Sequence, residues 1–263
     1  MKPPVLILAA PGSNRDREAA WACELAGGAP AIHTLGEAIE RPQLIADAKM
    51  LVFPGGFSFG DDLGAGKLWA TLMRSALGDA LRRFDEAGRP ILGICNGFQA
   101  LVRAGILPGP LADGEPWGQV LTTLAHNDSG RFECRPVRLR PDPQSPCVFT
   151  RGLTEDIVCP VAHGEGRLVP GGQVVAEAIR SQSLGALRYV SMDGEPQPGY
   201  PGNPNGSFDD IAGLTNARGN VLGLMPHPED HILARQHPLA QRGATGGLGL
   251  PLFQNGVRHA AAC

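Results

Sequence analysis

This chain predicts an α/β fold: a mainly parallel central sheet flanked by helices, with antiparallel strands added in its second half. Three observations carry that expectation. Short aliphatic runs alternate with segments of helical spacing through the first hundred or so residues. The runs are unbroken rather than alternating, as strands covered on both faces are. From about residue 119 the pattern changes, and apolar and polar positions begin to alternate as they do in antiparallel strands.

Residues 5–10 (Val-Leu-Ile-Leu-Ala-Ala) read as the first buried strand, bounded by Pro4 and by Pro11-Gly12. Asn14 offers a helix cap, and residues 18–26 read as a helix stopped by Gly27-Gly28. Residues 31–35 form a short second strand and 49–53 a third, which ends at Pro54-Gly55-Gly56. Leu68, Leu72, Leu77, Leu81 and Phe84 give residues 67–86 helical spacing. A fourth strand follows over 90–94, then a helix over 98–104. Strand and helix in alternation imply right-handed crossovers and a flavodoxin-like sheet.

Residues 132–139 alternate as an antiparallel strand does, and 173–193 hold further β-like stretches. Residues 194–210 are rich in Gly, Pro and Asn and read as a loop. Another strand, 221–225, leads into His227. The glycine-rich stretch 243–251 follows no strand, so it reads as a loop and not a dinucleotide fingerprint. The tail from 236 to 263 carries no assignable motif. One domain is expected over residues 1–263.

Composition narrows the classes. The chain has 263 residues, 43% hydrophobic and 19% charged, with a net charge of −3. These values fit a globular protein with a substantial core and no polyanion-binding face, so nucleic acid is not expected as a partner. The apolar run at 5–10 is too short to span a bilayer, so no membrane is expected either. Six cysteines (Cys23, Cys95, Cys134, Cys147, Cys159, Cys263) include no Cys-x-x-Cys pair. Free thiols in a reducing cytoplasm are expected, with no zinc site.

The chemistry concentrates at residues 91–97, Ile-Leu-Gly-Ile-Cys-Asn-Gly. An apolar strand ending in Gly-x-Cys-x-Gly and entering a helix is the outline of a nucleophile elbow with a thiol at its tip. A free thiol, pKa ~8.5, is only a few per cent ionised at neutral pH. The helix terminus and a nearby imidazolium raise that fraction. His227-Pro228-Glu229 supplies a base and its orienter, for residues two apart in extended backbone project to one side. Backbone N–H groups of Gly56 and Asn96 are the candidate donors to an oxyanion. Both loops fall at strand carboxyl ends, where ligands bind in such sheets.

These residues resemble those of the class I (triad-type) glutamine amidotransferases, and within them the glutaminase subunits of phosphoribosylformylglycinamidine synthase. The resemblance rests on Pro54-Gly55-Gly56-Phe57-Ser58-Phe59-Gly60-Asp61, Gly93-Ile94-Cys95-Asn96-Gly97-Phe98-Gln99 and Arg131-Phe132-Glu133-Cys134-Arg135. It continues through His163-Gly164-Glu165-Gly166-Arg167, Asn203-Pro204-Asn205-Gly206-Ser207 and Gly223-Leu224-Met225-Pro226-His227-Pro228-Glu229. It implies that Cys95 attacks the side-chain amide of L-glutamine, that His227 shuttles the proton and that Glu229 orients it. It also implies that Gln99 and Gly164 contact the substrate. His163 and Glu165 read equally as a contact to a synthetase or as a structural turn, and Phe57, Phe59 and Asp61 as partner-facing.

Ammonia would pass to a synthetase subunit of the complex, and a small third subunit is implied as well. That synthetase would use ATP and Mg²⁺, whereas this chain has no P-loop and is expected to hold no cofactor. Asp230 departs from the arginine many relatives carry after Glu229. Two other readings stay open: a different cysteine hydrolase of the same fold, and a non-catalytic assembly subunit.

Overall fold

The computed structural model describes residues 1–263. Eleven strands form in chain order: β1 (Pro4–Ala9), β2 (Ala29–Thr34), β3 (Met50–Phe53), β4 (Ile91–Ile94), β5 (Thr122–Ala125) and β6 (Glu133–Pro141). They continue with β7 (Ile157–His163), β8 (Arg167–Pro170), β9 (Gly185–Val190), β10 (Ile211–Thr215) and β11 (Val221–Leu224). Nine of them make one sheet in the order β2-β1-β3-β4-β11-β10-β9-β6-β7, while β5 and β8 pair separately. The pairs from β2 across to β11 are parallel. The pairs from β11 out to β7 are antiparallel. The expected mixed α/β sheet is therefore present.

Strands β3, β4 and β11 are buried at every position, which accounts for their unbroken aliphatic sequences. Helices cover both faces. Met50 of β3 meets Gly256 in the helix Leu250–Ala262. Phe53, on the opposite face by strand alternation, packs 5.8 Å from Trp69 in the helix Lys67–Ala76. Burial of this aliphatic sheet supplies the main stabilisation, roughly 25 cal/mol per Å² of apolar surface.

Several elements differ from the sequence expectation. The helix over 67–86 is two helices, Lys67–Ala76 and Gly78–Glu86, broken at Leu77 and Gly78. Residues Gln173–Ser181, expected as β, form a helix whose Val174 faces solvent. Strands β7 and β10 and the helix Leu250–Ala262 had no sequence counterpart.

Candidate active site

The site forms where β4 and β11 lie side by side. Their register pairs Ile94 with Leu224, and the Cys95 N–H donates to the Leu224 carbonyl at 2.8 Å. Cys95 and the segment leading to His227 are thus brought together by sheet pairing, though 132 positions separate the residue numbers 95 and 227. Cys95 has φ 49° and ψ −104° between β4 and the helix Asn96–Arg103. A non-glycine residue there is strained, by about 1–3 kcal/mol, and the surrounding packing must hold it.

The flanking glycines allow that packing. A Cβ on Gly97 would lie 2.0 Å from the Phe53 carbonyl oxygen, and one on Gly93 2.5 Å from Leu101 Cδ1. Any side chain at either position would push the helix off the sheet and move the sulfur.

His227 and Glu229 follow β11 at a turn where Pro228 opens a short 3₁₀ segment. The His227 N–H is fixed by the Pro160 carbonyl at 2.8 Å. Its Nδ1 lies 2.7 Å from Glu229 Oε1, and both side chains are buried. The other carboxylate oxygen of Glu229 has no partner, so the imidazole is its sole counter-group. Burial alone would depress the imidazolium. The negative charge of the Glu229 carboxylate first, then that of the neighbouring Cys95 sulfur, hold it well above the usual histidine value; the sulfur's one hydrogen-bond partner is the Ala162 carbonyl at 3.8 Å. Gly55 backs the ring, for a Cβ there would lie 2.6 Å from His227 Cε1. Asp230 meets Arg15 at 3.3 Å, so a cation from the start of the chain faces this turn.

Cys95 opens onto a cavity of about 230 Å³, lined also by Gly56, Asp61, Gln99, His163, Gly164 and Glu165. That is a volume suited to one amino acid, somewhat under the usual range for drug-sized ligands. Gly56 pairs with Ser13 in an isolated bridge whose hydrogen bonds run through its neighbours, Gly55 and Phe57. Its own N–H takes no acceptor in the chain. Asn96 opens its helix, where an N–H has no intrahelical partner. Neither expected donor has an acceptor in the chain; Gly56 lines the cavity with Cys95, and Asn96 follows Cys95 at the start of the helix.

Gln99 is committed within the chain. It donates to the Glu165 carbonyl at 2.6 Å and accepts from Asn96 Nδ2 at 2.9 Å. It lines the cavity while fastening the helix to the turn after β7. Gly164 lines the same wall. Phe57 is exposed at the rim and stacks on Phe132, with ring centroids 6.4 Å apart. Phe59 and Asp61 adopt positive φ in the same loop, and Asp61 faces the cavity instead of the exterior.

His163, one reading of which was a surface contact, is only 2% exposed. Asn127, which the sequence did not single out, holds it. Asn127 Nδ2 donates to the carbonyls of Arg131 and His163, both at 2.8 Å, while its Oδ1 takes the Gly166 N–H at 3.1 Å. The His-Gly-Glu-Gly-Arg and Asn-Pro-Asn-Gly-Ser runs also meet, with Asn205 Nδ2 donating to the Gly166 carbonyl at 2.9 Å. A lone asparagine in a turn gives no sequence signal of such a role.

The comparisons with known proteins show the family and the fold. The family model for the CobB/CobQ-like glutamine amidotransferase domain matches residues 2–260. A curated relative from Dehalococcoides mccartyi, phosphoribosylformylglycinamidine synthase subunit PurQ, is 44% identical over 257 residues, covering 97% of this chain and 96% of its own. The protein of the same name from Treponema denticola is 43% identical over 269 residues, covering 98% and 99%. Among solved structures, one of PurLQS from Thermotoga maritima aligns with TM-score 0.70 and 32% identity, covering 98% of this chain and 99% of that one. A putative GMP synthase component from Thermoplasma acidophilum shares the fold, with TM-score 0.56 at 13% identity over 100% of this chain and 96% of its own.

Proposed function

The chain belongs to the CobB/CobQ-like glutamine amidotransferase family, and from that premise we propose that it is the glutaminase subunit of a phosphoribosylformylglycinamidine synthase. In this reading it hydrolyses L-glutamine through Cys95, His227 and Glu229 and delivers ammonia to a synthetase subunit for purine synthesis. Near-full-length relatives bearing that subunit name support the assignment. The observation that carries the chemistry is the buried His227–Glu229 pair set against a thiol at a strained strand-to-helix turn.

The steps follow from the geometry. The Cys95 sulfur, paired with the His227 imidazolium, attacks the side-chain carbonyl carbon of glutamine. Negative charge passes to the carbonyl oxygen, where the Gly56 and Asn96 N–H groups meet it. Loss of one such donor costs about 3–4 kcal/mol of barrier. As the C–N bond breaks, His227 gives its proton to the leaving nitrogen, and ammonia departs from a glutamyl thioester. Neutral His227 then takes a proton from water, which attacks the thioester. Collapse releases glutamate and restores the thiolate–imidazolium pair. Glu229 fixes the ring tautomer and stabilises its charged form throughout. Gln99 and Gly164 are assigned as glutamine contacts on the cavity wall.

ATP and Mg²⁺ belong to the synthetase in this reading, and a small third subunit completes the complex. No group of three or more His, Cys, Asp or Glu side chains is placed to hold a metal ion in this chain. No helix is long and apolar enough to cross a membrane. A cytoplasmic setting is part of the proposal, and the free state of all six cysteines suits it. The test is glutamate release from L-glutamine by the chain bound to its synthetase. Absence of release in a complex that still uses ammonium would favour the non-catalytic assembly reading.

A further inference from the structure

We propose, on the glutaminase reading above, that Asn96 is a positioning residue for the oxyanion hole. Its side-chain amide ties the loop that carries the Gly56 N–H to the helix that carries Asn96's own N–H, and so sets the spacing of the two donors.

Asn96 is the first residue of the helix Asn96–Arg103 and is only 1% exposed. A buried amide is costly unless its polar atoms are matched, and here both are. Its Oδ1 accepts the Ser58 N–H at 3.0 Å. Its Nδ2 donates to Asp61 Oδ1 at 3.2 Å and to Gln99 Oε1 at 2.9 Å. A backbone N–H can only donate and a carboxylate can only accept, so the amide has a single orientation.

Two of those three bonds reach the loop after β3. Ser58 and Asp61 both follow Gly56 in that loop. The other hydrogen bonds of residues 55–61 run to residues 11–15 or stay within the loop. Asn96 is therefore the residue through which residues 55–61 are hydrogen-bonded to the helix that begins at the nucleophile. The loop needs such a tie. Phe59, Gly60 and Asp61 have φ of 54°, 69° and 54°. Those values are strained for Phe and Asp, and they persist only where surrounding groups hold them.

The two donors come from different strands. The Gly56 N–H follows β3 and the Asn96 N–H follows β4. A tetrahedral intermediate needs both at one oxygen, and such stabilisation works only where the donors are held in place beforehand. Asn96 carries one donor on its backbone and fastens the loop of the other with its side chain. The amide acts through those N–H groups. Its removal should slow the step that puts charge on oxygen and leave the reactivity of the sulfur alone.

The experiment uses the chain bound to its synthetase. Asn96→Leu has nearly the same shape, keeps the backbone N–H and removes all three side-chain bonds. Asp61→Ala removes one acceptor, and Asp61→Asn keeps a carbonyl oxygen in its place. Glutamate release gives kcat and KM. Alkylation of Cys95 by iodoacetamide, read by mass spectrometry of its peptide, reports the sulfur in a displacement that puts no charge on a carbonyl oxygen. In Asn96→Leu kcat should fall about ten- to a hundredfold, part of the roughly hundred- to thousandfold that loss of a whole donor costs, with KM and alkylation unchanged. Asp61→Ala should lower kcat about three- to tenfold, and Asp61→Asn should recover most of that loss. The double variant Asn96→Leu with Asp61→Ala should be no slower than Asn96→Leu alone, because both act through one link. Turnover is counted per alkylatable Cys95, so loss of folded protein cancels. Unchanged kcat in Asn96→Leu, an equal fall in alkylation, or additive losses in the double variant overturns the proposal. If Asn96→Leu yields no alkylatable protein, the Asp61 variants decide: wild-type kcat in Asp61→Ala, or equal losses in Asp61→Ala and Asp61→Asn, overturns it. A wild-type complex that releases no glutamate would instead remove the glutaminase reading.

Discussion

Gly97→Ala probes the link between a glycine in the sequence and the position of the reacting sulfur. The added Cβ would stand 2.0 Å from the Phe53 carbonyl oxygen, 2.6 Å from its carbon and 2.8 Å from Phe53 Cβ. Carbon and oxygen in contact stay about 3.3 Å apart. A gap of more than ~1 Å must therefore open between the helix Asn96–Arg103 and β3, since backbone atoms cannot swing aside as a side-chain end can. Overpacking of this kind costs about 1–3 kcal/mol. For a chain of this size that is a fall in Tm of about 2–12 °C, at about 2–4 °C per kcal/mol. Displacement of Cys95 and the Asn96 N–H by ~1 Å should reduce kcat on the order of a hundredfold. Thermal melting and glutamate release with the synthetase present measure the two effects. Gly78→Ala is the control, because its Cβ would meet nothing closer than the Met73 carbonyl at 3.9 Å. A Gly97→Ala protein with wild-type Tm and activity would refute the close-packed elbow.

Glu229→Gln should lower the titration midpoint of His227, followed by NMR of labelled imidazole, because the ring loses the carboxylate whose charge holds its pKa up. Because the folded-state pKa of His227 is raised, its contribution to stability is full below the ordinary value near ~6.5 and fades as pH rises through the raised one. The stability gap between wild type and variant should therefore be widest at acid pH and narrow on the alkaline side, and an unchanged midpoint would remove Glu229 as the orienter. Gly249→Ala should lower kcat and Tm together, for its Cβ would lie 2.3 Å from the Pro228 carbonyl oxygen and press on the His-Pro-Glu turn. Unaltered kinetics in that variant would show that the turn does not depend on the glycine-rich segment behind it.

The parallel half of the sheet was legible because burial on both faces leaves continuous aliphatic runs, as in β3, β4 and β11. Cys95, His227 and Glu229 were legible because glycine, proline and chemical type coincide there at short spacing. What was hidden depends on long-range packing. The helix Leu250–Ala262 carries Pro251 and Gly256, both poor helix formers. Gly256 is there because a Cβ would lie 2.5 Å from Phe149 Cε1. Strand β7 contains Pro160, which weakens the strand signal, and it lies accordingly at the edge of the sheet, where the Pro160 carbonyl holds the His227 N–H. Gln173–Ser181 carries Val174, Val175 and Ile179, β-branched residues whose local preference tertiary context overrode. The glycine-rich stretch before the last helix read only as a loop. In the fold its Gly249 N–H donates to the His231 carbonyl at 2.7 Å, closing it over the turn that bears His227. Asn127 was hidden for a similar reason: its partners lie up to 39 positions away.

The central claim is that Cys95 does the covalent step and that nothing downstream of ammonia requires it. Cys95→Ala in the assembled complex tests this with two nitrogen donors in parallel. The account predicts that amidine formation from glutamine is abolished while formation from added ammonium continues at the wild-type rate. Retention of the glutamine-dependent reaction, or equal loss of both, would contradict it.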